Sequence, residues 1–209
     1  MFRGEKVALR ARVESDVPVL HAELYDDVVT RLRADTRPWQ PLSPDSTLAP
    51  FAMSDPTDGV VAFSVVELVP GEPLAGAAVL HGIDLHNRSA HLGITLRPAF
   101  RGRGLGLSTV RVLCDYGFRI RGLHRLGIET LSDNDAMMRA AEEAGFVREG
   151  LLRQAAWVSG RFLDEVLYGL LATEWGGDSA VAGPTAEALD EMLDEAGRES
   201  FPASDPPAL

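Results

Sequence analysis

Between positions 101 and 106 the sequence reads Arg101-Gly102-Arg103-Gly104-Leu105-Gly106, two guanidinium groups and three glycines in a row of six. Glycine lets a chain turn tightly and approach a ligand closely, and the free N–H groups of a helical first turn can point at phosphate oxygens. Arg101 and Arg103 add planar donors that suit a pyrophosphate. The chemistry indicated is phosphate binding. The simpler alternative is a strand-to-helix turn that needs glycine for structural reasons alone. A Walker A loop would close with Gly-Lys-Ser/Thr, and here the run continues into Leu107-Ser108. A dinucleotide-binding GxGxxG belongs to a first strand–turn–helix unit, whereas these glycines are spaced two apart in mid-chain.

The elements that must position this loop follow from hydrophobic periodicity. Lys6–Arg10 reads as a first strand and Glu14–Thr30 as a helix with Pro18 in an early turn. Arg37–Asp58, rich in Pro, Ser, Thr and Asp, reads as a loop or short helix anchored by Trp39, Leu42, Leu48, Phe51 and Met53. Val60–Leu68 and Leu74–His81 form a hairpin about VPGEP. The strand His91–Leu96 alternates Leu92, Ile94 and Leu96 with His91, Gly93 and Thr95 and ends before Pro98. Leu107–Ile120 is a helix, Arg125–Leu131 a strand, and Asp135–Ala144 a helix capped by Ser132 or Asp133 and stopped at Gly145. Leu151–Val158 and Phe162–Leu171, separated by SGR, make a terminal hairpin. This order predicts an α/β or α+β domain with a central mixed sheet.

The chain has 209 residues, 45% hydrophobic and 24% charged, which suits a globular domain with a sizeable core and excludes a wholly disordered, collagen-like or coiled-coil protein. Twenty basic against 31 acidic residues argue against non-specific capture of nucleic acid or an anionic membrane. From Gly176 to Leu209 there are eight acidic residues and one arginine, Arg198, so residues 1–175 are read as the domain and 176–209 as an acidic, flexible tail with one marginal helix near TAEALDEMLDEAG. The single cysteine, Cys114, excludes an intrachain disulfide and reads as a buried thiol. His21, His81, His86 and His124 lack metal-site spacing, so no metal is expected. No apolar run has the length of a signal peptide or membrane span, which makes a cytoplasmic location the expectation.

Taken together, these residues resemble the GNAT superfamily of N-acetyltransferases. Arg101–Gly106 matches that family's Arg/Gln-x-x-Gly-x-Gly/Ala pattern, preceded by a strand ending in Leu-Arg-Pro and followed by an apolar helix. Asn134, the pair Gly145-Phe146, and the run from Gly160 to Val166 with Tyr168 and Glu174-Trp175 behind it resemble the ribosomal-protein alanine and serine acetyltransferases. The resemblance covers about residues 5–175 and implies a mostly antiparallel, twisted mixed sheet flanked by helices. It also implies acetyl-CoA as cofactor, CoA as product, and direct transfer to a primary amine. A protein N-terminus is the main candidate acceptor, with a small amine or antibiotic, or a catalytically weak CoA-binding module, as alternatives. A homodimer is compatible with it.

The resemblance further implies that the residues Arg101 to Ser108 hold the pyrophosphate, namely Arg101, Gly102, Arg103, Gly104, Leu105, Gly106, Leu107 and Ser108. Ile94, Thr95 and Leu96 would bond the pantetheine arm in strand fashion, with Asn134 also at the cofactor. Glu129 stands five residues before Asn134, where relatives carry a base, and His91 is the second candidate base because a neutral-range imidazole suits the role. Where relatives place a serine and a tyrosine after the asparagine, this chain has Met137 and Ala141, so Ser132 or water is left to protonate the thiolate. Tyr168, Trp157 and Trp175 read as packing residues, Asp164 as a turn residue, and Trp39, Phe51 and Met53 as acceptor-pocket or core residues.

Overall fold

A computed structural model describes residues 1–35, 37–53 and 57–176. Apart from Gly176, the expected acidic tail and its marginal helix lie outside the described residues, as do residues 54–56 of the expected loop. The strands are β1 (Phe2–Arg3), β2 (Val7–Arg10), β3 (Val60–Glu67), β4 (Leu74–Asp84), β5 (Ser89–Leu96), β6 (Arg125–Leu131), β7 (Val147–Val158) and β8 (Arg161–Leu171). The helices are α1 (Asp16–Leu20), α2 (Val28–Ala34), α3 (Leu105–Asp115) and α4 (Asp135–Glu143), with wide turns of helix continuing α1 over His21–Tyr25 and α3 over Tyr116–Ile120. One eight-stranded sheet runs in the order β1-β2-β3-β4-β5-β6-β8-β7. Every neighbouring pair is antiparallel except β5 and β6. This is the expected mixed, mostly antiparallel sheet flanked by helices.

One face of the sheet is closed by α3, where Val110, Leu113 and Cys114 are fully buried among Val7, Leu9, Leu80, Leu126 and Ile128. Leu92 belongs to this core, and Ile94 and Leu96 pack at its margin, as their alternation along β5 requires. On another flank Leu20, Leu24 and Tyr25 pack with Phe51 and Ala77, and Trp39 and Leu42 lean on the cluster. Trp39 and Phe51 are thus anchors, while Leu48 and Met53 are exposed. Cys114 is buried and its thiol is pushed well up by burial.

Three sequence expectations need correction. The helix expected over Glu14–Thr30 is broken at Asp26-Asp27: Asp27 leaves helical geometry and its carboxylate accepts from the Thr30 N–H at 3.3 Å, starting α2 afresh. The cap of α4 is Asn134 rather than Ser132 or Asp133, its Oδ1 accepting from the Met137 N–H at 3.2 Å. Trp157 is 60% exposed: β7 is the edge strand, and the ring meets Phe162 across the β7–β8 pair while lining an open cleft. Trp175 does pack, donating to Asp115 at 3.0 Å. Tyr168 is buried and donates to Glu142 at 2.9 Å. The β7–β8 turn carries Ser159 at φ 48° and Gly160 at φ 86°, the two-residue turn that matches strand twist.

A buried carboxylate ties the first elements together. Asp16, 4% exposed, accepts from Arg10 Nη1 and Nη2 at 2.6 and 2.8 Å, from Ser64 Oγ at 2.7 Å and from the Val13 N–H at 3.1 Å. Burial opposes its ionisation, but the Arg10 and Ser64 bonds outweigh that and hold its carboxyl below the usual range. Its stabilisation is therefore present above the unfolded-state pKa and is lost as the pH falls through the folded one. Asp16→Ala should cost about 2 kcal/mol or more, a fall in Tm of roughly 4–8 °C for a domain of this size. Calorimetric scans should also show weaker acid sensitivity below about pH 4 in the variant than in the parent.

Candidate active site

The parallel pairing of β5 with β6 lasts three residue pairs, Ser89↔Arg125, Ala90↔Leu126 and His91↔Gly127. Beyond it β5 stays paired to β4 through Leu96 and β6 stays paired to β8 through Leu131. The two strands therefore splay, leaving the β6-facing edge of β5 over 92–96 without a strand partner among the described residues. Unpaired backbone groups at such an edge invite an extended ligand rich in amides. The splay opens into a cleft of about 840 Å³ lined by β3 to β8, by α2 and by the segment 47–51.

At one end of the splay stands the glycine loop. Gly104 caps α3 with φ 78° and no side chain closes the helix start, so its first N–H groups remain available. Gly102, at φ 72°, has nothing within 4 Å of where a side chain would sit. Gly106 lies beside Ile94 and Leu96, and Leu105 and Ser108 are buried in the helix base. This cradle fits an anionic ligand. The arginines are otherwise engaged: Arg101 Nε donates to the Leu96 carbonyl at 2.9 Å, and Arg103 Nη2 meets Glu67 at 2.6 Å while stacking over Phe100. The cation that stands over the loop is Lys6, the one lysine of the sequence. Its Nζ lies 3.3 Å from the position a methyl group on Gly104 would take, and its backbone N–H donates to Ser108 Oγ at 3.2 Å. Sequence reading missed Lys6 because nearly a hundred residues separate it from the loop.

At the base of the splay His91, Glu129 and His81 come together. His91 Nδ1 is 3.5 Å from Glu129 Oε1 and lacks a hydrogen-bond partner although the atom is buried. The ring sits against Gly127, where an added methyl would come within 3.0 Å of Nδ1, so glycine at 127 makes room for it. His81 is paired with His91 across the β4–β5 register, and the rings stack with centroids 5.6 Å apart. Burial chiefly, and then the charge of His91, push His81 below the ordinary imidazole value, against the opposing pull of Glu129 and Asp35. Glu165 lines the same cleft and is pushed up by burial and by Glu129. His81 was set aside as an isolated histidine in sequence. The near-symmetric placement of positions 81 and 91 about the β4–β5 turn is the signal that could have found it.

The other expected residues divide. Thr95, Asn134 and Met137 line the cleft. Asn134 also spends its Oδ1 on the helix cap and its Nδ2 on Thr130 Oγ1 at 3.1 Å. Ser132 is outside the cleft lining, and its N–H donates to the Asp164 carbonyl at 2.9 Å. Asp164 in turn accepts from the Gln154 N–H at 2.8 Å, which holds the irregularity of β7 between Leu152 and Ala156 rather than the expected turn. Among the described residues no three His, Cys, Asp or Glu side chains form a metal-binding group, and no helix is long and apolar enough to cross a membrane.

The acetyltransferase (GNAT) domain model matches residues 6–147, and the chain belongs to that family. Among curated relatives it is 34% identical over 105 residues to "Putative ribosomal N-acetyltransferase YdaF" of Bacillus subtilis, covering 50% of this chain and 57% of that protein. It is 32% identical over 91 residues to the spermidine N(1)-acetyltransferase of Vibrio cholerae, covering 44% of this chain and 53% of that protein. The chain thus spans little more than half the length of these two relatives. The Vibrio cholerae spermidine N-acetyltransferase solved with CoA and spermine superposes with a TM-score of 0.68 at 23% identity, over 80% of this chain and 96% of that one, which shows the fold. The relatives include both ribosomal and spermidine enzymes. The sequence resemblance therefore narrows to the family and not to its ribosomal-protein subgroup.

The histidine stack is open to direct measurement. In an NMR titration His81 should ionise below the usual imidazole value of about 6.5. Glu129→Gln removes an anion that favours its protonated form and should lower the His81 pKa further, whereas His91→Asn removes a competing cation and should raise it. Equal His81 values in parent and both variants would disprove the coupling.

Proposed function

We propose that this chain is an acetyl-CoA-dependent N-acetyltransferase that acts on the primary amine of a small molecule. The observation that carries the reading is the splay of β5 from β6, with a glycine-and-lysine anion cradle at one end and His81, His91 and Glu129 at its base. Acetyl-CoA would supply an activated acetyl thioester. The uncapped start of α3 and Lys6 would hold its pyrophosphate, and the free edge of β5 at Ile94 to Leu96 would bond its pantetheine amides.

The remaining work falls to the base of the cleft. An alkylammonium is a poor nucleophile until it loses a proton. Glu129, half exposed and next to the orphaned Nδ1 of His91, can take that proton directly or through a water, and neutral His81, stacked on His91, is a further acceptor lining the same cleft. Glu165, whose carboxylate is made more basic than usual by burial and by Glu129, is a second acceptor on the same cleft. Met137 has no proton to give and Ser132 lies outside the cleft lining, so in this reading water protonates the leaving thiolate. A small acceptor is favoured over the protein N-terminus first expected. The cleft volume is in the range of small-molecule sites, and the family relatives include spermidine enzymes.

Calorimetric titration with acetyl-CoA, followed by thiol release with a panel of amines and N-terminal peptides, tests this directly. Binding with amine-dependent release is expected, and absence of binding would overturn the reading. Glu129→Gln should lower kcat by about 10²-fold or more while leaving CoA affinity within a factor of about two. Lys6→Met should do the converse, weakening CoA binding by roughly tenfold, with the parent's affinity falling more steeply with salt than the variant's.

A further inference from the structure

The far wall of the cleft carries charge that the transfer chemistry does not use. Four arginines line the cavity, Arg12, Arg31, Arg33 and Arg37, against the carboxylates of Asp35, Glu129 and Glu165. Asp35 is committed: it accepts from Arg31 Nη2 at 2.6 Å and from Arg37 Nη2 at 2.7 Å. Burial opposes its ionisation, but those bonds and the Arg31 charge hold its carboxyl down at about 2. Arg33 is committed to Asp133 at 2.6 Å. Among the described residues Arg12 has no such partner. The nearby Asp16 is already saturated by Arg10, Ser64 and the Val13 N–H. Arg12 lies over the Phe51 ring, its Nε is buried with no hydrogen bond, and burial lowers its affinity for its proton. Arg31, stacked on Tyr25, has an equally orphaned Nε in the same cavity. A desolvated guanidinium without an anion is costly unless something fills its fork, and the group that does so best is an oxyanion.

We propose that the acceptor is a primary amine bearing a remote oxyanion, a carboxylate or phosphate that Arg12 and Arg31 bind while the amine lies at Glu129. The inference rests on the acetyltransferase reading and names the substrate class of that site. The two ends are apart by construction. The β2–β3 register carried two residues on sets Arg12 beside Ala62, Ala62 pairs with Val79, and Val79 pairs with Gly93. Three strand spacings, about 14 Å, reach β5, and Glu129 lies beyond the splay on β6, so the ends are at least about 19 Å apart at the backbone, or roughly 12 Å once the reach of both side chains is allowed for. An extended ω-amino acid or short peptide spans that distance. A polyamine suits the cavity poorly, because a second ammonium would meet arginines where it needs a carboxylate.

The test compares matched acceptors in the parent protein and in Arg12→Gln and Arg12→Lys: 6-aminohexanoate and triglycine, their carboxamides, 6-aminohexyl phosphate, and spermidine. The free acids should exceed their amides in kcat/KM by tenfold or more, through KM. Arg12→Gln should collapse the acid-to-amide ratio towards one and Arg12→Lys should retain part of it, with CoA affinity reporting that each variant is folded. The phosphate arm tells which oxyanion is preferred. A preference for spermidine or the amides, unchanged by Arg12→Gln, overturns the inference and leaves the acetyltransferase reading standing. If CoA binds but no acceptor turns over, the acetyltransferase reading is what fails. The anion site is then judged by calorimetry with N-acetyl-6-aminohexanoate: binding that is lost in Arg12→Gln supports it, and no binding to the parent refutes it.

Discussion

Three rungs of parallel ladder hold this fold together at its functional centre. The sheet is two antiparallel halves, β1 to β5 and β6 with β8 and β7, and among the described residues the strand ladder between them is Ser89–His91 against Arg125–Gly127. The junction is clamped from below by Arg88, whose carbonyl accepts from the His124 and Arg125 N–H groups and whose guanidinium donates to the Gly122 carbonyl. It is backed by α3, whose buried face rests on Leu92 from one half and Leu126 and Ile128 from the other. A longer ladder would close the cleft, and a shorter one would let the halves separate. The place where pairing stops is also where His91 and Gly127 face each other, so the fold's weakest seam and the proposed chemistry share one rung.

That seam explains an electrostatic arrangement that would otherwise look wasteful. Two histidines are stacked across β4 and β5 where His91 disfavours protonation of His81, and two carboxylates, Glu129 and Glu165, face the same space. In bulk water such groupings would relax apart. Here the strand register fixes them, and the partial burial that makes them repel also keeps a neutral base present near physiological pH. Stability is supplied elsewhere, in the apolar layer under α3 and in fully partnered charges such as Asp16 with Arg10, so the site can hold orphaned atoms.

What was legible in the sequence was what is local in the chain. The glycine loop, the alternation along β5, the start of α4 near 134 and the terminal hairpin all follow from contacts within a few residues, and each stands within a residue or two of its expected place apart from β7, which begins at Val147. The break between α1 and α2 was hidden because helical periodicity continues through Asp26-Asp27, and only the capping geometry of Asp27 interrupts it. Lys6, His81 and Arg12 were illegible for a different reason. Each acquires its meaning from a residue on another strand or loop, and an isolated lysine, histidine or arginine carries no sign of its neighbour. The partners of the loop arginines were illegible in the same way: Glu67 and the Leu96 carbonyl, both outside the motif, hold Arg103 Nη2 and Arg101 Nε.

The division between local and distant residues has a consequence for how such a site can change. The anion cradle and the splay are built from the sheet and α3, where the backbone itself does the binding and few side chains could be exchanged without disturbing the core. The wall opposite is built from α1, α2 and the segment 47–51, packed on the sheet through the small cluster around Leu20, Leu24, Tyr25 and Phe51. Arg12, Arg31 and Arg37 all belong to that wall. On the proposed reading, acceptor choice is therefore written on elements that can vary while the donor site stays fixed. A likeness in fold to a spermidine enzyme at 23% identity shows the fold and leaves the acceptor open.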